Sequence, residues 1–299
     1  MLETKDLSFS YKKGEPVLHK LNMNIPQGAI YGYLGNNGAG KTTTINLILG
    51  LLPINKQTVF YNGNDILNIR DKYTKELGIV FQPLSVYAHL TPIEHLQYLN
   101  LFYNAPKCNI EKVLQDVGLY DYRHKKIKSF SAGMKQKFAI AMSLLHEPKF
   151  LVMDEPINGL DPNAIIEFRY LIKEINNKGV TILMSSHILA EVEKCCTHIG
   201  IINKGQLILQ DSISNINTQL GKRLLIKTSD IIRTKRVILE LGGCCINIEN
   251  GELNCLFANN INYNNIISKL GDELVDIHDI SLQHQNLESL YINITKNSK

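Results

Sequence analysis

One stretch sets most of what this chain can fold into: Gly35-Asn36-Asn37-Gly38-Ala39-Gly40-Lys41-Thr42-Thr43. Its glycines, lysine and hydroxyl have the spacing of a phosphate-binding loop, and such a loop works only between a buried strand and a helix. Both flanks are present. Residues 29–34 are a short apolar, β-rich run, and residues 42–52 carry Ile45, Leu47, Ile48, Leu49 and Leu51 in a helical stretch. The spacing serves anion binding. Gly35, Gly38 and Gly40 are expected to take backbone angles closed to other residues, turning successive N–H groups inward around phosphate oxygens. The helix start adds its positive end. Lys41 supplies a mobile, exposed ammonium for the β and γ phosphates, the Thr42 hydroxyl is placed to ligate Mg²⁺, and Thr43 is a second phosphate donor.

Chemistry-bearing residues close the apolar runs that follow. Residues 77–81 end at Gln82 and Pro83, which puts the Gln82 amide at a strand-to-loop exit. Residues 91–146 read as almost wholly helical and open on the capping box Thr91-Pro92-Ile93-Glu94, so a helical insert of about 83–146 separates two strands. Within it, Ser131 is a good N-cap for the periodic run Phe138, Ala141, Leu144 and Leu145. Phe150-Leu151-Val152-Met153-Asp154-Glu155 is an apolar strand that ends in two carboxylates. Opposite a phosphate loop, one carboxylate binds Mg²⁺ directly or through water, and a second orients or activates the attacking water. Asp154 is read as the metal residue and Glu155 as the general base. Asn158-Gly159-Leu160-Asp161-Pro162 is a turn signature ahead of a helix over about 164–176. The strand at 180–184 ends in Ser185-Ser186-His187, where a histidine at the same edge as Asp154 can contact a γ phosphate.

The rest of the chain frames this centre. Residues 3–34 alternate as a β-hairpin or small sheet, with Tyr11 at the end of its first strand. A hairpin over 199–209 closes a first domain, 1–210. Beyond 211 the composition shifts towards asparagine and isoleucine. Strands at 224–228, 244–248, 253–257 and 275–280, with helices near 230–241, 261–270 and 286–295, predict a small β-α-β-β-α-β unit over 211–299. The 299 residues, 44% hydrophobic and 20% charged, suffice for one large α/β domain and one small one. A net charge of +4, with no like-charge block longer than Lys125-Lys126, gives no case for nucleic acid. The six cysteines lack ligand spacing, which argues against structural zinc. They are read as buried thiols in a reducing cytoplasm, because Met1-Leu2-Glu3 does not open a signal peptide. No apolar run approaches the roughly 20 residues that cross a bilayer. A transport role would need another chain for the pore.

Together these residues resemble the ATP-binding subunits of ATP-binding-cassette (ABC) transporters over about residues 2–210. The resemblance implies an α/β fold: a P-loop ABC ATPase core, with a RecA-like sheet, an antiparallel β subdomain and the helical insert, followed here by a small α+β domain. It implies ATP and Mg²⁺ as ligands and ATP hydrolysis as the activity. Tyr11 then stacks on adenine, and Gln82 joins Thr42 and Asp154 at Mg²⁺ and couples to the membrane partner. Ser131, Ala132, Gly133 and Met134 become the signature that faces the ATP of the opposite subunit in a head-to-tail dimer. Asp161 communicates across that dimer and His187 is its switch histidine. The implied partners are a separate transmembrane permease and a second ATP-binding subunit, as a homodimer on the cytoplasmic face of the cell membrane.

Where the family usually has Leu-Ser-Gly-Gly-Gln, this chain has Phe130-Ser131-Ala132-Gly133-Met134 followed by Lys135-Gln136. That variant, and the tail Asn286-Leu287-Glu288-Ser289-Leu290-Tyr291, are similar to bacitracin- and lantibiotic-resistance exporters. Asn36 replaces a frequent proline in a loop that binds through its backbone. The reading is an exporter ATPase for antibiotic, peptide or other hydrophobic compounds. The alternative, a non-transport ABC ATPase of translation or DNA repair, usually carries two cassettes or a long coiled-coil insertion, and neither occurs here. A regulator with little turnover is opposed by the intact Glu155 and His187.

Overall fold

The computed structural model describes residues 1–12, 14–220, 222–249, 252–257, 263–284 and 290–291. They fall into two compact units, Met1–Asp211 and Ser212–Lys299. The first unit opens with β1 (Leu2–Thr4), the hairpin of β2 (Leu7–Lys12) and β3 (Glu15–Leu21), and β4 (Asn24–Ile25). Then come β5 (Ile30–Leu34), α1 (Lys41–Ile48), β6 (Val59–Tyr61) and β7 (Asn64–Asp65). The order β4-β1-β6-β7 makes an antiparallel sheet whose alternating residues Leu2, Ile25, Val59 and Tyr61 are buried. Helix α1 ends at Ile48 instead of near 52, because Gly50, with φ of 68°, turns the chain out of the helix.

After α2 (Arg70–Lys75) and β8 (Leu77–Val80), the helical insert supplies α3 (Pro92–Tyr103), α4 (Cys108–Asp116) and α5 (Ala132–Leu144). Helix α3 starts as its sequence predicts: the Thr91 hydroxyl accepts from Glu94 N, and the Glu94 carboxylate accepts from Thr91 N. Such a cap contributes about 1 kcal/mol. The chain returns through β9 (Phe150–Met153), α6 (Pro162–Asn177), β10 (Thr181–Ser186), α7 (Leu189–Cys195), β11 (His198–Asn203) and β12 (Gln206–Ser212).

The sheet order is β12-β11-β5-β10-β9-β8, with β11, β5, β10, β9 and β8 parallel. Every residue of β5, β9 and β10 is buried. Parallel strands covered on both faces read as near-continuous apolar runs, as β5, β9 and residues 182–184 of β10 do. Fully burying side chains such as Leu34, Leu151 or Ile182 contributes about 1.5–3 kcal/mol each. The register matters for function. Val80 lies opposite Met153, Met153 opposite Met184, and Ser186 opposite Leu34, so the strands end together at one edge.

The second unit contains α8 (Ile213–Leu220), β13 (Lys222–Thr228), α9 (Ile231–Glu240), β14 (Cys244–Glu249), β15 (Glu252–Phe257), α10 (Tyr263–Asp272) and β16 (Ile277–His284). Its antiparallel sheet has the order β14-β15-β13-β16, the β-α-β-β-α-β arrangement read from the sequence. Leu224, Ile226, Ile238, Leu253 and Leu270 form its core. The helix expected over 286–295 lies outside the described residues, apart from 290–291.

The cysteines correct one expectation. Only Cys195, Cys196 and Cys255 are buried; Cys245 is half-buried, while Cys108 and Cys244 are exposed, and all six are free thiols. Periodicity explains the difference. Cys108 starts α4, whose buried face is Asn109, Ile110, Val113 and Leu114, and Cys244 opens β14 at the sheet edge. No helix among the described residues is long and apolar enough to cross a membrane.

Candidate functional site

Strand β5 delivers the glycine-rich loop at the carboxyl edge of the sheet, the crevice where open α/β sheets place ligands. Two glycines are needed there for different reasons. Gly40 caps α1 at φ of 107°, where a Cβ would also lie 2.7 Å from Leu18 Cδ2. Gly35 is required for space and not for angle: a Cβ would lie 2.7 Å from the Ile202 carbonyl oxygen.

Lys41 is not exposed as expected; it is 6% accessible. Its ammonium folds over the loop, donating to Gly35 O at 2.7 Å and Asn36 O at 3.4 Å and pairing with Glu155 Oε1 at 3.2 Å. Thr42 Oγ1 donates to Asp154 Oδ2 at 2.9 Å. The other oxygen, Asp154 Oδ1, accepts from Ser185 Oγ at 2.5 Å, and Ser185 Oγ accepts from Glu155 N at 2.8 Å. Glu155 Oε2 lies 2.8 Å from His187 Nδ1. The structure therefore brings Lys41, Thr42, Asp154, Glu155 and His187 into one connected group.

Glu155 holds a left-handed backbone, φ 49°, which costs a non-glycine residue of order 1–3 kcal/mol and persists only where its surroundings enforce it. The Ser185 hydroxyl bonded to its N–H is part of that enforcement. The Thr42 and Asp154 oxygens are hard donors suited to Mg²⁺, which takes one or two carboxylates and completes its shell with water and phosphate.

Tyr11 reaches the same helix start. Its hydroxyl is 3.3 Å from Thr43 Oγ1, its ring stands edge-on to Phe9 at 4.9 Å, and the residue is 60% exposed. Ser131, Ala132, Gly133, Met134 and Asp161 form a second cluster of their own. Ser131 caps α5 by accepting from Met134 N at 3.2 Å, and Asp161 caps α6 by accepting from Ala164 N at 2.9 Å. The two helix starts abut: a Cβ on Gly133 would lie 2.9 Å from Ala164 Cβ. Ser131, Ala132 and Asp161 are exposed. Gln82 belongs to neither cluster by its bonding. Its Nε2 donates to Gln136 Oε1 on α5 at 3.1 Å.

Ser185 and Gln136 were not singled out from the sequence. Ser185 had a signal, since a polar residue ending a buried strand must face something polar. Extending the β9–β10 register by one residue past Met153 and Met184 sets it beside Asp154. Beside β8 and α3 lies a cleft of about 1050 Å³, lined by Leu51, Leu67, Phe81, Leu84, Tyr87 and Tyr98 among others, with Arg70 as its charged residue.

A parallel sheet bearing a glycine-rich loop, a lysine and a carboxylate pair at its carboxyl edge defines a phosphate-loop ATPase. The family described as ABC transporter matches residues 18–158. The chain is 39% identical over 241 residues to the bacitracin transport ATP-binding protein of Bacillus licheniformis, covering 80% of this chain and 78% of that one. It belongs to the ATP-binding subunits of ABC transporters and is an ATP hydrolase. The lantibiotic transport ATP-binding protein of Streptococcus pyogenes is 35% identical over 228 residues, 75% of this chain and 98% of that one. Among solved structures, an ATP-binding subunit of an ABC transporter aligns with a TM-score of 0.63 and 25% identity, over 91% of this chain and 99% of that one.

Proposed function

We propose that this chain powers a separate membrane permease that exports antibiotic, peptide or other hydrophobic compounds, and that it works as a homodimer on the cytoplasmic face of the cell membrane. The observation that carries the catalytic part is the connected group of Lys41, Thr42, Asp154, Glu155 and His187. In this reading the loop N–H groups and Lys41 hold the β and γ phosphates. Thr42, Asp154 and Gln82 hold Mg²⁺, which when bound offsets phosphate charge. Glu155 takes a proton from water as the water oxygen bonds to the γ phosphorus; the bond from that phosphorus to the bridging oxygen breaks, and ADP leaves. His187 orients Glu155 and the γ phosphate. Ser131, Ala132, Gly133 and Met134 close over the ATP of the partner subunit, with Asp161 at the shared interface. The 1–210 region is the nucleotide-binding domain and 211–299 an accessory domain. Transport is favoured over action on nucleic acid because the bacitracin and lantibiotic relatives are described as transport proteins.

Tyr11 offers a direct test of the adenine side. Its exposed ring, anchored through the hydroxyl beside Thr43, is available for stacking. Tyr11→Ala is expected to raise the ATP dissociation constant by a stacking contribution of about 1–3 kcal/mol, while Tyr11→Phe stays close to wild type. Equal affinity of the alanine variant and wild type by equilibrium titration would make Tyr11 an ordinary edge-strand residue.

The cleft beside β8 and α3 supplies the permease site in this reading, since it is lined by the helical insert and presents the exposed aromatics Tyr87 and Tyr98, a residue type enriched at protein interfaces. Tyr98→Asp places a charge on its wall. Co-purification with the co-expressed permease is expected to fall at least about tenfold, the effect of losing one buried aromatic anchor. Undiminished recovery of the permease would move the docking surface elsewhere.

A further inference from the structure

Gln136 carries a bond that nothing in the catalytic reading uses. It lies on α5, five residues beyond Ser131, and is 2% exposed. Its Oε1 accepts from Gln82 Nε2 at 3.1 Å, while its own Nε2 is buried with no hydrogen-bond partner. A buried amide with an unpaired donor costs stability where an apolar side chain of the same shape would not. The packing of α5 on β8 does not need it. That packing is already fixed at the other end of the helix, where a Cβ on Gly78 would lie 2.8 Å from the Ser143 carbonyl oxygen. From Gly78 to Gln82 the extended chain advances about 13 Å. From Ser143 back to Gln136 the helix covers about 10 Å. The helix thus runs back along the strand, and Gln136 arrives where Gln82 leaves the sheet.

We infer that Gln136 is a positioning residue for Gln82. By accepting from the Gln82 NH₂ group it fixes which end of that amide is spent inside the protein. Gln82 Oε1, the atom type that binds a hard cation, takes no part in this bond. The same contact ties the segment just after β8 to the helix that Ser131 caps, so a movement of Gln82 is felt by the signature. This inference rests on the reading of Gln82 as a Mg²⁺ residue.

The test uses the full chain and a non-hydrolysable ATP analogue, titrated with and without Mg²⁺ beside melting curves. Gln136→Met fills the same space without a strong acceptor; Gln136→Glu keeps the acceptor. The methionine variant is expected to melt near wild type and bind the analogue normally in chelator. Its gain in affinity on adding Mg²⁺ should shrink about tenfold, the effect of one lost hydrogen bond. The glutamate variant should retain that gain. If the methionine variant fails to fold, Gln136→Asn, which withdraws the acceptor by one methylene, should show the same loss. Gln82→Ala separates the two layers. If it leaves the Mg²⁺ dependence unchanged, the metal reading of Gln82 fails and the inference with it. If Gln82→Ala removes the dependence but neither the methionine nor the asparagine change does, Gln82 stands and the role of Gln136 is overturned. Loss in the glutamate variant equal to that in methionine also overturns it, because an acceptor would then be insufficient.

Discussion

Lys41→Ala is expected to lower turnover by at least about 10²–10³-fold, the usual effect of removing one electrostatic contact to a charge developing in a transition state. It is also expected to destabilise the protein, which an exposed loop lysine would not. The Lys41 side chain is 6% exposed and its ammonium is held by two loop carbonyls and by Glu155. Removing it leaves a largely buried carboxylate with His187 as its remaining ionisable partner. The cost of stripping that carboxylate of its lysine is about 1–3 kcal/mol, which lowers the melting temperature by several degrees in a domain of this size. Adding Glu155→Gln removes the uncompensated charge, so the double variant should recover stability without recovering activity. ATP titration, steady-state hydrolysis and melting curves on the three proteins check both parts. A folded Lys41→Ala protein with wild-type turnover would mean that this loop is not the phosphate site.

What the sequence made legible was whatever depends on local periodicity. The short apolar runs of β5, β9 and residues 182–184, bounded by turn signals, read as strands covered on both faces, with the chemistry-bearing residues at their ends on a shared edge. That pattern alone places Lys41, Asp154, Glu155 and His187 together. Contacts between distant segments were less legible. The Ser185 link between Asp154 and Glu155 depends on the register of β9 against β10, which no single segment encodes. The Gln82–Gln136 bond joins residues separated by 54 positions, across most of the helical insert. The left-handed backbone at Glu155 is likewise invisible in sequence, since glutamate ordinarily avoids it. Lys41 departs from its expected exposure for a related reason. A lysine ordinarily extends into solvent, and only the converging carbonyls of Gly35 and Asn36 and the carboxylate of Glu155 draw this one inward.

Glu155→Gln is expected to bind ATP and hydrolyse it about 10²–10⁴-fold more slowly, the range lost with a general base. The change preserves the shape of the side chain and an oxygen to accept from Lys41, now at Oε1. ATP then stays intact between two subunits, and the closed dimer accumulates in Mg-ATP. In the proposed mechanism that closed state requires the α5 start of one subunit to fit against the γ phosphate held by Lys41 of the other. The surface available for this is small and shaped. Ser131 and Ala132 are exposed, the Ser131 hydroxyl is committed to Met134 N, and Gly133 lies against Ala164 with no room for a side chain. Ser131→Arg introduces bulk there and removes the cap, at a cost to α5 of about 1 kcal/mol. That cost is too small to unfold the domain, so loss of dimer in the double variant would report on the interface itself. Mass by light scattering in Mg-ATP should therefore show a dimer for Glu155→Gln and a monomer for Glu155→Gln with Ser131→Arg, both binding ATP. If the two variants dimerise equally, the signature lies outside the interface and the composite-site mechanism proposed here fails.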